Sequence, residues 1–375
     1  MSDIATDTLF RPLDIGSLHL ANRVVMAPMT RCFSPGGVPG ANVAAYYRRR
    51  AEGGVGLIVT EGSWIPHWAA SNDDSAPRFH GEDALAGWQH VVDEVHAAGG
   101  KIAPQLWHVG LSRKPDVENL YVEQTDYSHT VSPSGILDVG NQVNPPSPEA
   151  EVEAVAAAYA QAAADAERLG FDGVELHGAH GYLIDQFFWG ETNRRADRYG
   201  GDQTARTRFA VEVVGAIRAR VSRDFPVIFR FSQWKLQDYA AKMIDTPAGL
   251  EAFLAPLVEA GVDVFHASQR RFWLPEFEGQ GPMNLAGWTK KLTGKPTISV
   301  GSVGLDMEMV ESLLVGGETH FTGLEPLIEM MERGDFDMIA IGRALIANPD
   351  WAKLVEQRRF DAIRPYSQVL LADLT

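Results

Sequence analysis

The stretch ERLGFDGVEL, residues 167–176, sets the reading of the whole chain. A helix-compatible end, Glu167-Arg168-Leu169, meets Gly170, the residue type that most readily stops a helix. A short apolar run follows at once. The same order of helix, glycine and strand returns in HAAGGKIAPQ (96–105) and EAGVDVFHAS (259–268).

Working outward, eight short apolar runs recur along the chain. They are NRVVMAP (22–28), GVGLIVTEG (54–62), KIAPQLWH (101–108), FDGVELHG (171–178), FPVIFRFS (225–232), GVDVFHAS (261–268), PTISVGSV (296–303) and FDMIAIGRAL (336–345). They show little strict alternation, as expected of parallel strands covered on both faces. The segments between them read as helices: Ser147-Pro148, Thr246-Pro247 and Asn348-Pro349 offer start signals, and Gly170, Gly261 and Gly294 offer stops. Eight such units in one chain predict a (β/α)₈ barrel. A doubly wound open sheet is the competitor, but no G-x-G-x-x-G follows any strand. Two segments fall outside the repeat. Residues 9–20 (LFRPLDIGSLHL) are expected to form a hairpin closing the lower end of the barrel. Residues 109–146, rich in Pro, Ser and Asn, form a long connection after strand three, of the kind that serves as a lid.

Composition narrows the function. The 375 residues carry 33 Lys plus Arg against 49 Asp plus Glu, a net charge of −16. Such a surface repels phosphate backbones, so nucleic acid is not an expected partner. Cys32 is the only cysteine, too few for an internal disulfide, a thiolate zinc site or an iron–sulfur cluster. The opening MSDIATDTLF lacks the basic and apolar regions of a secretory leader, and no apolar run has membrane length. A cytoplasmic protein of one domain, 1–375, is expected, as a monomer or homodimer.

In a barrel of this kind the chemistry sits at the C-terminal strand ends. Those ends supply Thr30, Glu61-Gly62, Gln105 with Trp107-His108, and then His177, His180 and Tyr182. Arg230-Phe231-Ser232, Gly301-Ser302 and Gly342-Arg343 follow. Gln105 and Arg230 interrupt apolar strands and need polar partners. The loops after strands seven and eight are the usual phosphate site of such barrels. There small residues admit backbone N–H groups, and Arg343 can grip an anion bidentately. Neutral imidazoles at 177 and 180 can each donate to a shared oxygen and stabilise charge developing on it. Tyr182, with an ordinary pKa of roughly 10, stays protonated and can act as general acid. Zinc is the rival use of the two histidines, but a zinc site needs further ligands. An electron source is missing, and a phosphate-bearing redox cofactor would supply it.

Five stretches in order, NRVVMAPMTR (22–31), QLWHVG (105–110), ELHGAHGYLIDQFF (175–188), TNRRADRYGG (192–201) and IGRALIANPDW (341–351), resemble the Old Yellow Enzyme family of FMN-dependent ene-reductases. The resemblance spans nearly the whole chain and implies a non-covalent FMN in a TIM-type barrel. It implies a flavin ring against Pro28 and Met29, with Thr30 at its carbonyl edge. Gly62, Gln105 and Arg230 become pyrimidine-edge or ribityl contacts, and Gly301, Ser302, Gly342 and Arg343 the phosphate cradle. His177 and His180 would hold the activating oxygen of the substrate, and Tyr182 would protonate the α-carbon after hydride reaches the β-carbon. NADH or NADPH would be the reductant. Activated alkenes, nitro compounds and nitrate esters are the implied substrates, and no metal is required. Thr30 stands where one branch of the family keeps a flavin-tuning cysteine, and Cys32 lies two residues late for that role. TNRRADRYGG reads as a loop ordered by Arg–Asp pairing. Length and the single cysteine speak against the multidomain dienoyl-CoA reductase branch. A flavin store or sensor without efficient turnover is the non-enzymatic alternative, against which the retained Tyr182 and histidines argue.

Overall fold

A computed structural model describes residues 6–113, 127–309, 311–312 and 316–375. All eight apolar runs become strands of one closed parallel barrel. They are β1 (Val24–Met26), β2 (Leu57–Trp64), β3 (Ile102–Trp107), β4 (Val174–His180), β5 (Val227–Lys235), β6 (Val264–Ser268), β7 (Thr297–Val300) and β8 (Met338–Ile341). Each pairs with its neighbours in chain order, and β8 closes on β1 through Ile339↔Val24 and Ile341↔Met26. Helices α1 (Ala41–Glu52), α2 (Glu82–Ala97), α3 (Glu149–Arg168), α4 (Arg208–Arg218), α5 (Pro247–Ala260), α6 (Leu285–Thr293) and α7 (Glu325–Glu332) follow β1 to β7 in turn. After β8 comes α8 (Trp351–Glu356). The architecture is the expected (β/α)₈ barrel.

Strand periodicity divides the core in two, since successive side chains point to opposite faces. Val25, Leu57, Val59, Ala103, Ile228, Val264, Ile298, Met338 and Ala340 fill the lumen. Their neighbours Val24, Met26, Ile58 and Ile102 face outward, in the helix-covered layer that holds Trp88, Tyr159 and Trp351. Both faces are therefore apolar, which is why the runs do not alternate.

The N-terminal hairpin forms as expected, with Leu13–Ile15 antiparallel to Leu18–Leu20. Ile15, Leu18 and Leu20 join the lumen cluster and plug the lower end. Its turn requires Gly16, at φ +57, because a Cβ there would lie 2.6 Å from the Asp224 carbonyl oxygen. The Ser17 N–H and hydroxyl both donate to that carbonyl.

Two helix-start expectations need correction. Thr246 does cap α5, accepting the Gly249 N–H at 3.1 Å. Ser147, however, accepts from the Ser132 N–H, and Pro148 takes the cap position of α3. Asn348 is likewise diverted to the backbone of Ala344 and Arg364, and Asp350 precedes α8. In both cases a loop that needed a hydrogen-bond partner outcompetes the helix end.

The long connection after β3 is only partly covered, since residues 114–126 of the expected lid lie outside the described residues. The described remainder carries a small hairpin, Ile136–Asp138 against Asn141–Gln142. Arg195 fastens its base by donating to Pro133 O at 2.9 Å and Ser147 O at 2.7 Å, while its Nε donates to Asp197. TNRRADRYGG thus orders its loop by the expected Arg–Asp pairing. Among the described residues no helix is long and apolar enough to cross a membrane.

Candidate active site

Toward the C-terminal end the lumen turns from apolar to charged at the same strand parity. Ala103 is followed by Gln105, Ile228 by Arg230 and Val264 by His266, and Glu175 lies opposite Gln105 in the β3–β4 register. Gln105 Nε2 donates to Glu175 Oε1 at 2.8 Å, and His266 Nδ1 meets Glu175 Oε2 at 2.6 Å. Burial pushes the Glu175 carboxyl up, but His266, Arg230 and Gln105 together outweigh it and hold the group below its ordinary range. Glu175 is therefore the polar partner that Gln105 requires, and an ionised counterpart for Arg230. Sequence reasoning missed both Glu175 and His266; their parity with Gln105 and Arg230 was the available signal. Above this layer Arg230 Nε is buried with no hydrogen-bond partner, and Arg230 lines the cavity overhead.

That cavity holds about 400 Å³, within the range of small-molecule and cofactor sites. Pro28, Met29 and Thr30 form one side of it, following β1. His177, His180 and Tyr182, at the end of β4, line it too. The Tyr182 ring meets His177 edge-on at 4.8 Å and Trp107 edge-on at 5.1 Å. His180 occupies the left-handed region at φ +64, unusual for a residue with a side chain. It is held there by its N–H donating to Ser232 Oγ at 2.9 Å and by a ring stacked on Trp234 at 4.2 Å.

Burial, with Arg230 next, pushes both His177 and His180 well below the ordinary imidazole range, so both are neutral at pH 7. His177 Nδ1 accepts the Ala179 N–H at 3.4 Å, which leaves Nε2 as its donor. Burial, with Tyr239 adding to it, pushes the Tyr182 phenol up to about 12. The wall therefore presents neutral donors and a protonated phenol. Among the described residues, no group of three His, Cys, Asp or Glu side chains is arranged to hold a metal.

Gly301, Ser302, Gly342 and Arg343, which the sequence offers as a cradle, line the same cavity. Gly301 is needed there for closeness, since a Cβ would lie 2.4 Å from Gln269 O. Arg343 also ties down the segment after β7, donating to Met307 O at 2.6 Å and Glu308 O at 3.3 Å. The Glu308 carboxylate in turn pairs with Arg270 at 2.7 Å. Gly62 stands apart from the others. Its missing side chain makes room for the Trp107 ring, which a Cβ would meet at 2.9 Å.

Of the larger aromatic residues, Trp234 lines the cavity, Trp68 is 59% exposed, and Phe272 packs against Trp273. Cys32 lies off the cavity, its thiol 3.7 Å from Asp73 Oδ2. Pro28–Thr30, the histidine wall, Gln105, Arg230 with its unpartnered Nε, and Arg343 thus line one cavity that joins neutral donors to cationic groups.

The chain is similar to known proteins. The sequence profile of the NADH:flavin oxidoreductase / NADH oxidase family matches residues 8–362. A 12-oxophytodienoate reductase 7 of Oryza sativa subsp. japonica is 34% identical over 94% of this chain and 88% of its own length. An NADH oxidase of Thermoanaerobacter brockii is 33% identical over 95% of this chain, which spans only 52% of that protein. The solved structure of morphinone reductase in complex with tetrahydroNAD superposes with a TM-score of 0.76 at 28% identity, covering 98% of this chain and 97% of the other. This chain belongs to the FMN-dependent NADH:flavin oxidoreductases, the Old Yellow Enzyme family.

Proposed function

We propose that this protein, as one FMN-binding barrel domain over 1–375, uses NADH or NADPH to reduce activated C=C bonds in α,β-unsaturated carbonyl or nitro compounds, and nitrate esters at the same site. The observation that carries the reading is the shared cavity wall of two neutral histidines and one protonated tyrosine. Pro28, Met29 and Thr30 would lie along the flavin ring. Gln105 and Arg230 would meet its polar edge, and Gly301, Ser302, Gly342 and Arg343 its phosphate. Gly62 contributes backbone only. FMN, when bound and reduced by the nicotinamide, supplies the hydride that goes to the β-carbon.

The side chains do the rest. His177 and His180 donate to the carbonyl or nitro oxygen and orient the alkene. As negative charge gathers on that oxygen the two bonds strengthen, which lowers the barrier without any proton moving to the histidines. Tyr182 gives its proton to the α-carbon. Its high pKa keeps the proton in place until a carbanion-like centre needs it. Trp107 packs edge-on against the phenol and limits its motion.

The test is spectroscopic and then kinetic. Purified protein reconstituted with FMN should show a bound-flavin band, bleach anaerobically on NADH or NADPH, and recover colour on adding a cyclic enone. Failure to bind flavin, or a bleached flavin that no enone reoxidises, would overturn the proposal.

A further inference from the structure

β6 ends at Ser268, a residue with no part in the reading above. Its side chain is buried, at 3% exposure, yet it touches two groups of the site. Ser268 Oγ lies 2.8 Å from His180 Nε2 and accepts from Arg230 Nη2 at 3.5 Å. A guanidinium only donates, so the arginine occupies a lone pair of the serine oxygen. That oxygen keeps a second lone pair, but the Ser268 O–H has no other acceptor among the described residues, so this buried hydroxyl is satisfied by donating to His180 Nε2, which then accepts. A neutral imidazole that accepts at Nε2 carries its proton on Nδ1. The ring plane is fixed separately, by Trp234 stacked against it at an interplanar angle of 22°.

We infer that Ser268 is a positioning residue: backed by Arg230, it fixes His180 as the Nδ1–H tautomer, so that the ring offers the cavity a donor and not a lone pair. His177 is set the opposite way, its Nδ1 taken by the Ala179 N–H and its Nε2 left to donate. The two rings thus present different nitrogens, each selected by a hydrogen bond to the protein at the other nitrogen. In the other tautomer His180 would face the substrate oxygen with a lone pair, which repels the charge the site has to stabilise. The inference rests on the reading of His180 as a substrate-oxygen donor, but the tautomer itself can be measured without any substrate.

The experiment uses the FMN-loaded enzyme labelled with ¹⁵N-histidine, its His180 signals assigned by comparison with His180→Gln. Long-range ¹H–¹⁵N spectra should show His180 with a protonated Nδ1 and a bare Nε2. Ser268→Ala and Ser268→Gly should shift it toward the Nε2–H form or a mixture, and Ser268→Thr, which keeps the hydroxyl, should retain the native pattern. Affinity for p-chlorophenol, bound as a phenolate, should fall about tenfold in the two variants lacking the hydroxyl, the scale of one hydrogen bond to a charged partner, and be preserved in Ser268→Thr. An Nε2–H tautomer in the native enzyme, or an unchanged tautomer in both hydroxyl-free variants, overturns the inference. If instead the tautomer shifts as expected while His180→Ala leaves phenolate affinity intact, the positioning by Ser268 stands and the role of His180 toward substrate falls.

Discussion

Lys235 Nζ lies 2.7 Å from Asp185 Oδ1, and both side chains are wholly buried. The other Asp185 oxygen accepts the Gly181 N–H at 2.6 Å, and Lys235 also donates to Ser232 O at 3.1 Å. The pair thereby joins the end of β5 to the turn that carries Tyr182. Removing one partner strands a buried charge, so Lys235→Met should cost about 3–5 kcal/mol of stability. Lys235→Met with Asp185→Asn should recover most of that, because neither charge remains and the amide oxygen still accepts from Gly181. Denaturant titration measures both. A double variant no more stable than Lys235→Met would show that the cost is packing and not charge.

Arg343 does two jobs in one place, facing the cavity and holding the Met307 and Glu308 carbonyls. Arg343→Ala should leave the barrel folded and weaken FMN binding roughly tenfold or more, the scale of a lost charged hydrogen bond. Amide exchange in residues 302–309 should quicken as well. Unchanged flavin affinity with faster exchange would make Arg343 a loop anchor alone.

Burial, with Asp73 and Glu61 adding to it, pushes the Cys32 thiol up to about 11. It stays protonated at neutral pH and off the cavity, so it has neither the charge nor the position to tune a flavin. Cys32→Ser should leave the flavin reduction potential and the turnover number within error of native. A clear shift in potential would place Cys32 closer to the ring than this geometry allows.

Glu61 supplies the pH dependence. Its Oε2 accepts the N–H groups of Arg31 and Cys32 at 2.8 and 2.9 Å, clamping the loop that bears Thr30. Burial raises the carboxyl from an ordinary 4.5 to about 7 in the fold. Between those values the folded chain binds more protons than the unfolded one, so this group's contribution falls as pH rises. The full span amounts to about 3 kcal/mol. Glu61→Gln keeps an acceptor and removes the titration. The difference in Tm between variant and native should widen in favour of the variant from pH 5 to pH 8; a constant difference would disprove it.

The barrel was legible because most of its strands are apolar runs entered from a helix stop, and covered faces remove the alternation that would otherwise confuse the reading. Gln105 and Arg230 were legible as misfits in such runs, but their partner was not named, because a one-dimensional pattern cannot say which strand lies alongside. Once β3 and β4 pair, Glu175 follows from parity. Ser268 was hidden for another reason: the register shift between Gly178 and His180 breaks the regular pairing of β4 with β5 just where His180 meets it, in a way no spacing rule anticipates. Between residues 302 and 322 there is little periodicity to read, so the carbonyls that Arg343 holds gave no sign. Ser147 and Asn348 looked like caps because their residue types serve loops and helix ends equally well.

Tyr182 separates the two halves of the proposed reaction. Tyr182→Phe removes a proton donor and leaves the cavity shape nearly intact, with the Trp107 and His177 edges still in place. Flavin reduction by NADH or NADPH should therefore run at a near-native rate. Alkene reduction should slow by roughly 10²–10⁴, the usual contribution of a positioned general acid, because the α-carbon must then draw its proton from water. Nitro-group reduction, whose first step needs no proton on carbon, should suffer less. In the native enzyme the pKa of about 12 keeps the phenol protonated across the working range. The alkene step should accordingly show no loss from Tyr182 ionisation up to pH 10. Stopped-flow absorbance at the flavin band reads both half-reactions. If Tyr182→Phe reduces the alkene as fast as the native enzyme, the proton comes from elsewhere and Tyr182 is a wall of the pocket, not its acid.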